Sequence, residues 1–84
     1  MKRNIGDTVR INPYSEVTGE IISRKDQAVE PFPNFDYKVK LFIPHITKET
    51  RFFANYNSED GYWWQYFNDD ELDELELNYK LMTR

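Results

Sequence analysis

The sequence predicts one small all-β domain: a small barrel of five to six short strands, with one short helical turn before the last strand. Several short segments alternate apolar and polar residues with the period of two that is typical of half-buried strands. Turn-forming residues separate these segments. The 84 residues suffice for a single domain, so residues 1–84 are expected to share one modest core.

The strand pattern recurs along most of the chain. The predicted strands are, in order, residues 8–11, 17–23, 37–41, 50–56, 62–67 and 75–81. Gly19 lies inside the second strand, where a glycine indicates a bulge or a sharp bend. Residues 24–36 are predicted as a loop around Pro31 to Asn34. Residues 57–61 are predicted as a hairpin turn, with Asp60-Gly61 supplying the positive φ.

The clearest helix-start signal lies at Asn68, with Glu71 three residues later as in a capping box. Phe67 and Leu72 are placed to form a hydrophobic staple around it. The helix is expected to last one or two turns, because a period of two returns at residues 75–81.

This order of parts resembles an SH3-like barrel of the Tudor, KOW or agenet kind, a layout that small phage and prophage proteins often resemble. The matching segments are GDTVRI at 6–11, GEII at 19–22, YKVKL at 37–41 and FNDDEL at 67–72. These motifs specify turns and core positions, not chemistry. The longer segment 44–61 departs from the shortest forms of the pattern and leaves its strand pairing open.

Composition narrows the function classes. The chain has no Cys, which excludes disulfides, thiolate metal sites and a thiol nucleophile and fits a reducing cytoplasm. No apolar run approaches the length of a membrane span, so we expect a cytoplasmic protein without membrane contact. His45 is the single His, and no metal site is expected from it.

No catalytic motif is present either. The Ser residues have no base in a recognisable arrangement, and the three Gly residues do not form a phosphate loop. The acidic run is crowded and hydrated, which does not suit a carboxylate pair with separated pKa values. We therefore expect no enzyme, no cofactor and no metal.

Aromatic content is high, with six Tyr, six Phe and two Trp. A small barrel core does not hold fourteen rings, so some must reach the surface. In the strand at residues 62–67, Tyr62, Trp64 and Tyr66 would share one face, opposite Trp63 and Phe67. Which of the two Trp faces the core stays open at this point.

Two interpretations of the Tyr62, Trp64 and Tyr66 face remain. It is a partner-binding surface, since exposed rings bring large contact area. Alternatively the loop at residues 24–36, with Phe32 and Phe35, folds over it. The resemblance adds Tyr14 and Tyr37, which in related barrels would join Trp64 in an aromatic cage or groove.

Charge is divided along the chain, whose net charge is −4. Residues 1–51 hold nine basic and seven acidic side chains, whereas residues 52–84 hold two and eight. Asp69, Asp70 and Glu71 are predicted to belong to an acidic surface that docks a basic protein partner, for example by imitating the phosphates of nucleic acid. The alternative is a solvated helix start that aids solubility.

The predicted function is a non-enzymatic protein-interaction module that binds a protein partner through an aromatic and acidic surface. The resemblance adds a phage-type accessory or host-modulating role. The alternative is a nucleic-acid-associated small barrel that uses a basic strand face, comprising Arg10, Arg24, Lys25, Lys38 and Lys40. The low isoelectric point, about 4.9, weighs against that alternative. The identity of the partner, the oligomeric state and the biological source stay open.

Overall fold

In a computed structural model, which describes residues 2–11, 17–29, 31–43 and 54–82, five antiparallel strands form one sheet. The strands are β1 (Thr8–Arg10), β2 (Thr18–Arg24), β3 (Tyr37–Phe42), β4 (Asn55–Asn57) and β5 (Tyr62–Phe67). Their order across the sheet is β1-β2-β3-β5-β4. One helix, α1 (Asp69–Met82), follows β5, and a short 3₁₀ turn (Lys25–Gln27) follows β2.

The protein is thus mostly β, as predicted, but the described strands form an open sheet. No described residues pair β1 with β4, so the predicted closure into a small barrel is not confirmed. Residues 44–53, which carry most of the predicted strand at 50–56, lie outside the described residues, as do Tyr14 and His45. The remaining predicted strands up to β5 are confirmed to within a residue or two.

The core lies on the inner face of the sheet, defined here as the face that carries Ile21, Tyr37, Val39 and Phe67. Alternation in β3 turns Tyr37, Val39 and Leu41 inward, as predicted, and all three are buried. Ile21 lies opposite Val39, and both are fully buried. This apolar face holds β2, β3 and β5 together.

Gly19 is required by a close approach, not by a bulge. It lies between Val9 and Leu41 on the inner face, where a Cβ would come 2.5 Å from Cγ1 of Val39 and 3.0 Å from the carbonyl oxygen of Lys40. Of the two alternatives predicted at Gly19, a bulge or a sharp bend, the bulge is wrong, because the pairing of β2 is regular there. The pairing of β2 with β3 shifts three residues later, between Ile21 and Ser23.

The β4–β5 turn is fixed by Asn57. Its side-chain oxygen accepts hydrogen bonds from the backbone N–H groups of Glu59 and Asp60, at 3.0 and 3.1 Å. Gly61 closes the turn with a φ of 72°, which a residue with a Cβ rarely adopts. The turn predicted at residues 57–61 is confirmed.

Helix α1 replaces the predicted final strand, so the prediction of a strand at residues 75–81 is wrong. The spacing of Leu75, Leu77 and Leu81 fits a strand with a period of two. The leucines also fit a helix, in which Leu72 and Leu75, three residues apart, lie on one face. Leu72 is buried in the core and Leu75 packs against it, whereas Leu77 and Leu81 are exposed. The many Leu and Glu residues also favour helix over strand.

The start of α1 matches the predicted signal in part. Glu71 accepts a hydrogen bond from the backbone N–H of Asn68 at 3.0 Å, as in a capping box. Phe67 and Leu72 are both buried in the core. The cap on the helix itself, however, is Asp36, whose carboxylate accepts the N–H of Asp69 at 2.9 Å. The Asn68 side chain accepts the N–H of Asp36 in return, at 3.2 Å.

Candidate interaction surface

The outer face of the sheet, opposite the core, carries the alternate residues of β3 and β5. Lys40 lies directly opposite Trp64, and Lys38 lies opposite Tyr66. Since alternate strand residues share a face, Tyr62 belongs to the same set. Trp63, by contrast, lies opposite Leu41 and packs against the core. The predicted grouping of Tyr62, Trp64 and Tyr66 is thereby confirmed, and Trp63 is the inward tryptophan.

Both lysines lie over aromatic rings of this face. The Nζ of Lys38 lies 4.4 Å from the centre of the Trp64 ring, and the Nζ of Lys40 lies 5.3 Å from that of Tyr62. These are diagonal cross-strand pairs, within reach of long side chains. The negative ring faces attract the ammonium groups without neutralising their charge. Neither lysine forms an ion pair with a carboxylate of the described residues.

The loop between β2 and β3 covers one end of the outer face. Tyr66 packs edge-on against Phe32, with ring centres 5.2 Å apart, and stacks on Phe35 at 5.7 Å. Trp64 meets Tyr66 edge-on at 5.0 Å. The alternative that this loop folds over the rings is therefore correct for Tyr66. Tyr62 and Trp64 lie beyond these loop contacts and are half-buried.

An open groove of about 520 Å³ lies between this loop and the strands. Lys38, Lys40 and Tyr62 form its floor, Phe32 and the fully exposed Val29 line its loop side, and Glu20 borders it on β2. Glu20 pairs in register with Lys40, so two ammonium groups face one carboxylate. The groove therefore has a mixed polar and apolar lining and a net positive charge.

Tyr37, predicted as part of a surface cage, is in the core with none of its surface exposed. Its hydroxyl donates to Oδ1 of Asp69 at 2.5 Å and accepts the backbone N–H of Arg3 at 2.9 Å. Burial, together with the hydrogen bond to this carboxylate, raises the pKa of Tyr37. The structure does not bring Tyr37 together with Trp64, and its ring is not accessible to a ligand.

Asp69, predicted as a docking residue, forms its hydrogen bonds and ion pair within the protein. The guanidinium of Arg3 donates to Asp69 and Asp73, at 2.9 Å each, and the backbone N–H of Lys2 donates to Asp69 at 3.1 Å. Burial opposes ionisation of Asp69, but these bonds and the one from Tyr37 outweigh it and lower its pKa. This cluster ties the N-terminal segment to α1 and β3.

Asp73 contributes a second contact to this cluster. Lys2 and Arg3 both bond its carboxylate, and these bonds lower its pKa. Arg3 is itself held in its charged form, with its pKa raised although burial opposes the charge. The acidic face of α1 is thus partly structural.

Asp70 and Glu71, the other predicted acidic residues, lie exposed on the first turn of α1. Of the five predicted basic residues, only Lys38 and Lys40 line the groove. Arg24 bonds Asp26 through two nitrogens and Asn4 through a third. Lys25 bonds Asn34.

Arg10 belongs to a different part of the surface. It borders a small cleft between β1 and α1, together with Arg3 and Glu76.

The structure therefore groups the predicted site residues differently from the sequence-based prediction. The rings share their face with lysines instead of with the carboxylates. The sequence does show that lysines alternate along β3 (Lys38, Lys40) and rings along β5 (Tyr62, Trp64). That they share one face follows only once β3 is known to pair with β5. The cluster of Arg3, Tyr37 and Asp69 went unpredicted because its members lie far apart in the chain.

Within the described ranges, no group of three or more His, Asp or Glu side chains is arranged to hold a metal ion. None of the described helices has the length and apolar character needed to cross a bilayer. Comparison of the chain with family models, curated proteins and solved structures finds no match in any of the three.

Proposed function

We propose that the protein is a non-enzymatic protein-interaction module whose outer-face groove binds an acidic segment of a partner protein. One observation supports this above all: Lys38 and Lys40 lie among half-buried rings on one open sheet face, without a carboxylate partner in the described residues. The rings offer rigid contact area. The two ammonium groups select for negative charge and orient the partner.

The proposal modifies the predicted aromatic and acidic surface. Asp69 is committed to Arg3 and Tyr37, so the aromatic site relies on Lys38 and Lys40 for its charge. Asp70 and Glu71 remain exposed and belong to a second surface on α1. A binding role also agrees with the groove, which is open to solvent and holds about 520 Å³.

A single-stranded nucleic acid is the second candidate. It is favoured by the alternation of rings and lysines on one sheet face, since bases stack on rings while lysines contact phosphates. The net charge of −4 and the acidic helix repel any anionic ligand, and they oppose a nucleic acid more strongly than a short acidic segment because each nucleotide adds a charge. Only two of the five predicted basic residues line the groove, which further weakens this candidate.

We propose a more specific fold, a biological role and a location as well. The five-stranded antiparallel sheet is compatible with an SH3-like small barrel. We also propose the phage-type accessory or host-modulating role, which the resemblance to that fold implies. A cytoplasmic location is proposed from the lack of Cys, which fits a reducing compartment.

A titration with two probes tests the proposed function. The probes are a short peptide of alternating Glu and Leu, and oligothymidine. Nuclear magnetic resonance follows the indole N–H signals of Trp63 and Trp64. We expect the acidic peptide to shift the Trp64 signal, because Trp64 lies on the outer face, and to leave that of the inward Trp63 nearly unchanged.

Two charge reversals serve as variant and matched control. Lys38→Glu is expected to weaken peptide binding by about tenfold or more, since it places a like charge in the groove. Lys80→Glu makes the same change of net charge on α1 and is expected to bind nearly as wild type. Binding of oligothymidine alone would replace the proposal with the second candidate. No binding of either probe at low salt would refute both.

A further inference from the structure

Helix α1 carries a second unpartnered surface, on the side away from the core. Leu77 and Leu81 are four residues apart and so share one helix face. They are 57% and 53% exposed, whereas Leu72 on the core side is 1% exposed. Asp70 and Glu74 precede Leu77 by seven and three residues, which places them beside the two leucines. We call these four residues the acidic leucine face.

The carboxylates of this face are available for an outside contact. Asp70 and Glu74 are exposed, and neither forms an ion pair with a described residue. They differ in this from Asp69 and Asp73, which hold Arg3. Asp70 and Glu74 are therefore not needed to hold α1 on the sheet.

The acidic leucine face complements the outer-face groove in both charge and apolarity. The groove offers Lys38 and Lys40, and next to them Val29 and Phe42 are 101% and 44% exposed. The helix face offers two carboxylates and two leucines. Opposite charges across a contact orient it, while apolar groups supply most of its free energy.

The helix cannot reach the groove of its own molecule. Leu72 holds α1 in the core, which lies on the inner face, whereas the groove lies on the outer face. We propose that the acidic leucine face of α1 occupies the outer-face groove of a second copy of this chain. This inference rests on the proposed function and names the occupant of that groove.

Such a contact is head to tail. A growing chain of copies always leaves a groove free at one end and a helix face free at the other, so association continues with concentration unless a ring closes. The contact also involves exposed charges, which salt screens over about 10 Å at 0.1 M ionic strength. Association should therefore rise with protein concentration and weaken as salt is added.

Sedimentation velocity tests the inference with three variants. The groove reversal is Lys38→Glu with Lys40→Glu, the helix reversal is Asp70→Lys with Glu74→Lys, and the third variant combines both. Between about 10 µM and 1 mM at low salt, we expect the average mass of wild type to at least double, as a micromolar to millimolar contact requires. Either reversal alone should remain monomeric, because its groove and helix face carry charge of the same sign.

Mixing the two single reversals should restore association, since each then meets a groove or helix of opposite charge. The combined variant should associate by itself for the same reason. A further variant, Leu77→Ser with Leu81→Ser, removes the apolar contact without touching the core and should stay monomeric if circular dichroism shows an intact fold. Charge reversals that leave the association unchanged would overturn the inference.

Sedimentation and the peptide titration together separate this inference from the proposed function. Wild type that stays monomeric at the highest concentration, yet binds the Glu-Leu peptide through Trp64, would overturn the second copy as occupant and leave the proposed function standing. A monomer that also fails to bind the peptide would overturn both.

Discussion

Leu72→Ala is expected to lower the free energy of unfolding by about 2–5 kcal/mol, the range found for buried leucines. Leu72 is 1% exposed and is the residue of α1 that enters the core. Its removal leaves a cavity between the helix and the inner face, which the strands cannot close without moving. Urea denaturation followed by circular dichroism measures the loss.

Leu77→Ala is the matched control for this prediction. It makes the same substitution one and a half turns later, at a side chain that is 57% exposed. Its effect on the free energy of unfolding should stay within about 0.5 kcal/mol. Equal losses for both variants would mean that α1 does not dock through Leu72, and would favour the strand that the sequence pattern predicted.

Asp69→Ala is expected to cost about 3 kcal/mol of stability. The change removes a carboxylate that accepts part-buried hydrogen bonds from Tyr37 and Arg3 and an exposed one from Lys2. Bonds to charged groups contribute about 1.5–3 kcal/mol each, and exposure to solvent lowers their sum here. It also leaves the half-buried guanidinium of Arg3 with fewer partners. Asp70→Ala, in the same helix turn but exposed, should cost less than about 1 kcal/mol.

The same pair of variants tests a dependence on pH. The pKa of Asp69 is lower in the folded protein than in the unfolded chain, where it is near 3.9. Its stabilisation is therefore present above that unfolded value and is lost as the pH falls through the lower folded value. Between about pH 5 and pH 2 wild type should lose stability more steeply than Asp69→Ala. Parallel curves for the two proteins would contradict the assigned role of Asp69.

At alkaline pH, Tyr37 makes stability fall as the pH rises, the opposite direction to Asp69 at acid pH. Its pKa is raised on folding, so the stability linked to it is present below the unfolded value of about 10 and is lost as the pH rises through the folded value. The cluster that ties the N-terminal segment to α1 is thus expected to be strongest between these two limits.

Strands could be predicted from the sequence where one face is buried. The alternation in residues 37–41 and 62–67 follows directly from the pleat, and the inward positions of Tyr37, Val39 and Phe67 agree with it. The segment at residues 75–81 could not be resolved in the same way. A short leucine repeat satisfies both a period of two and a helical spacing, and only the contact of Leu72 with the core decides between them.

The interaction surface could be predicted only in its parts. Alternation assigns Tyr62, Trp64 and Tyr66 to one face, and it assigns Lys38 and Lys40 to the outside of β3. Their meeting depends on the β3–β5 pairing, which joins strands separated by β4 and residues 44–53. Likewise, nothing in the local pattern indicates that Asp69 bonds Tyr37 and Arg3, because these contacts form only when the helix packs against the sheet.

We propose that the outer face with Lys38, Lys40 and Trp64 is the surface that receives an acidic partner. Mapping amide chemical shifts during the titration with the Glu-Leu peptide distinguishes this surface from the rest of the protein. We expect the shifts to concentrate on β3, β5 and the loop around Phe32. Lys38→Glu should reduce them as a loss of affinity of about tenfold or more requires, while Lys80→Glu leaves them nearly unchanged. Shifts confined to α1, or spread evenly over the protein and unaffected by Lys38→Glu, would rule out the outer face as the binding surface.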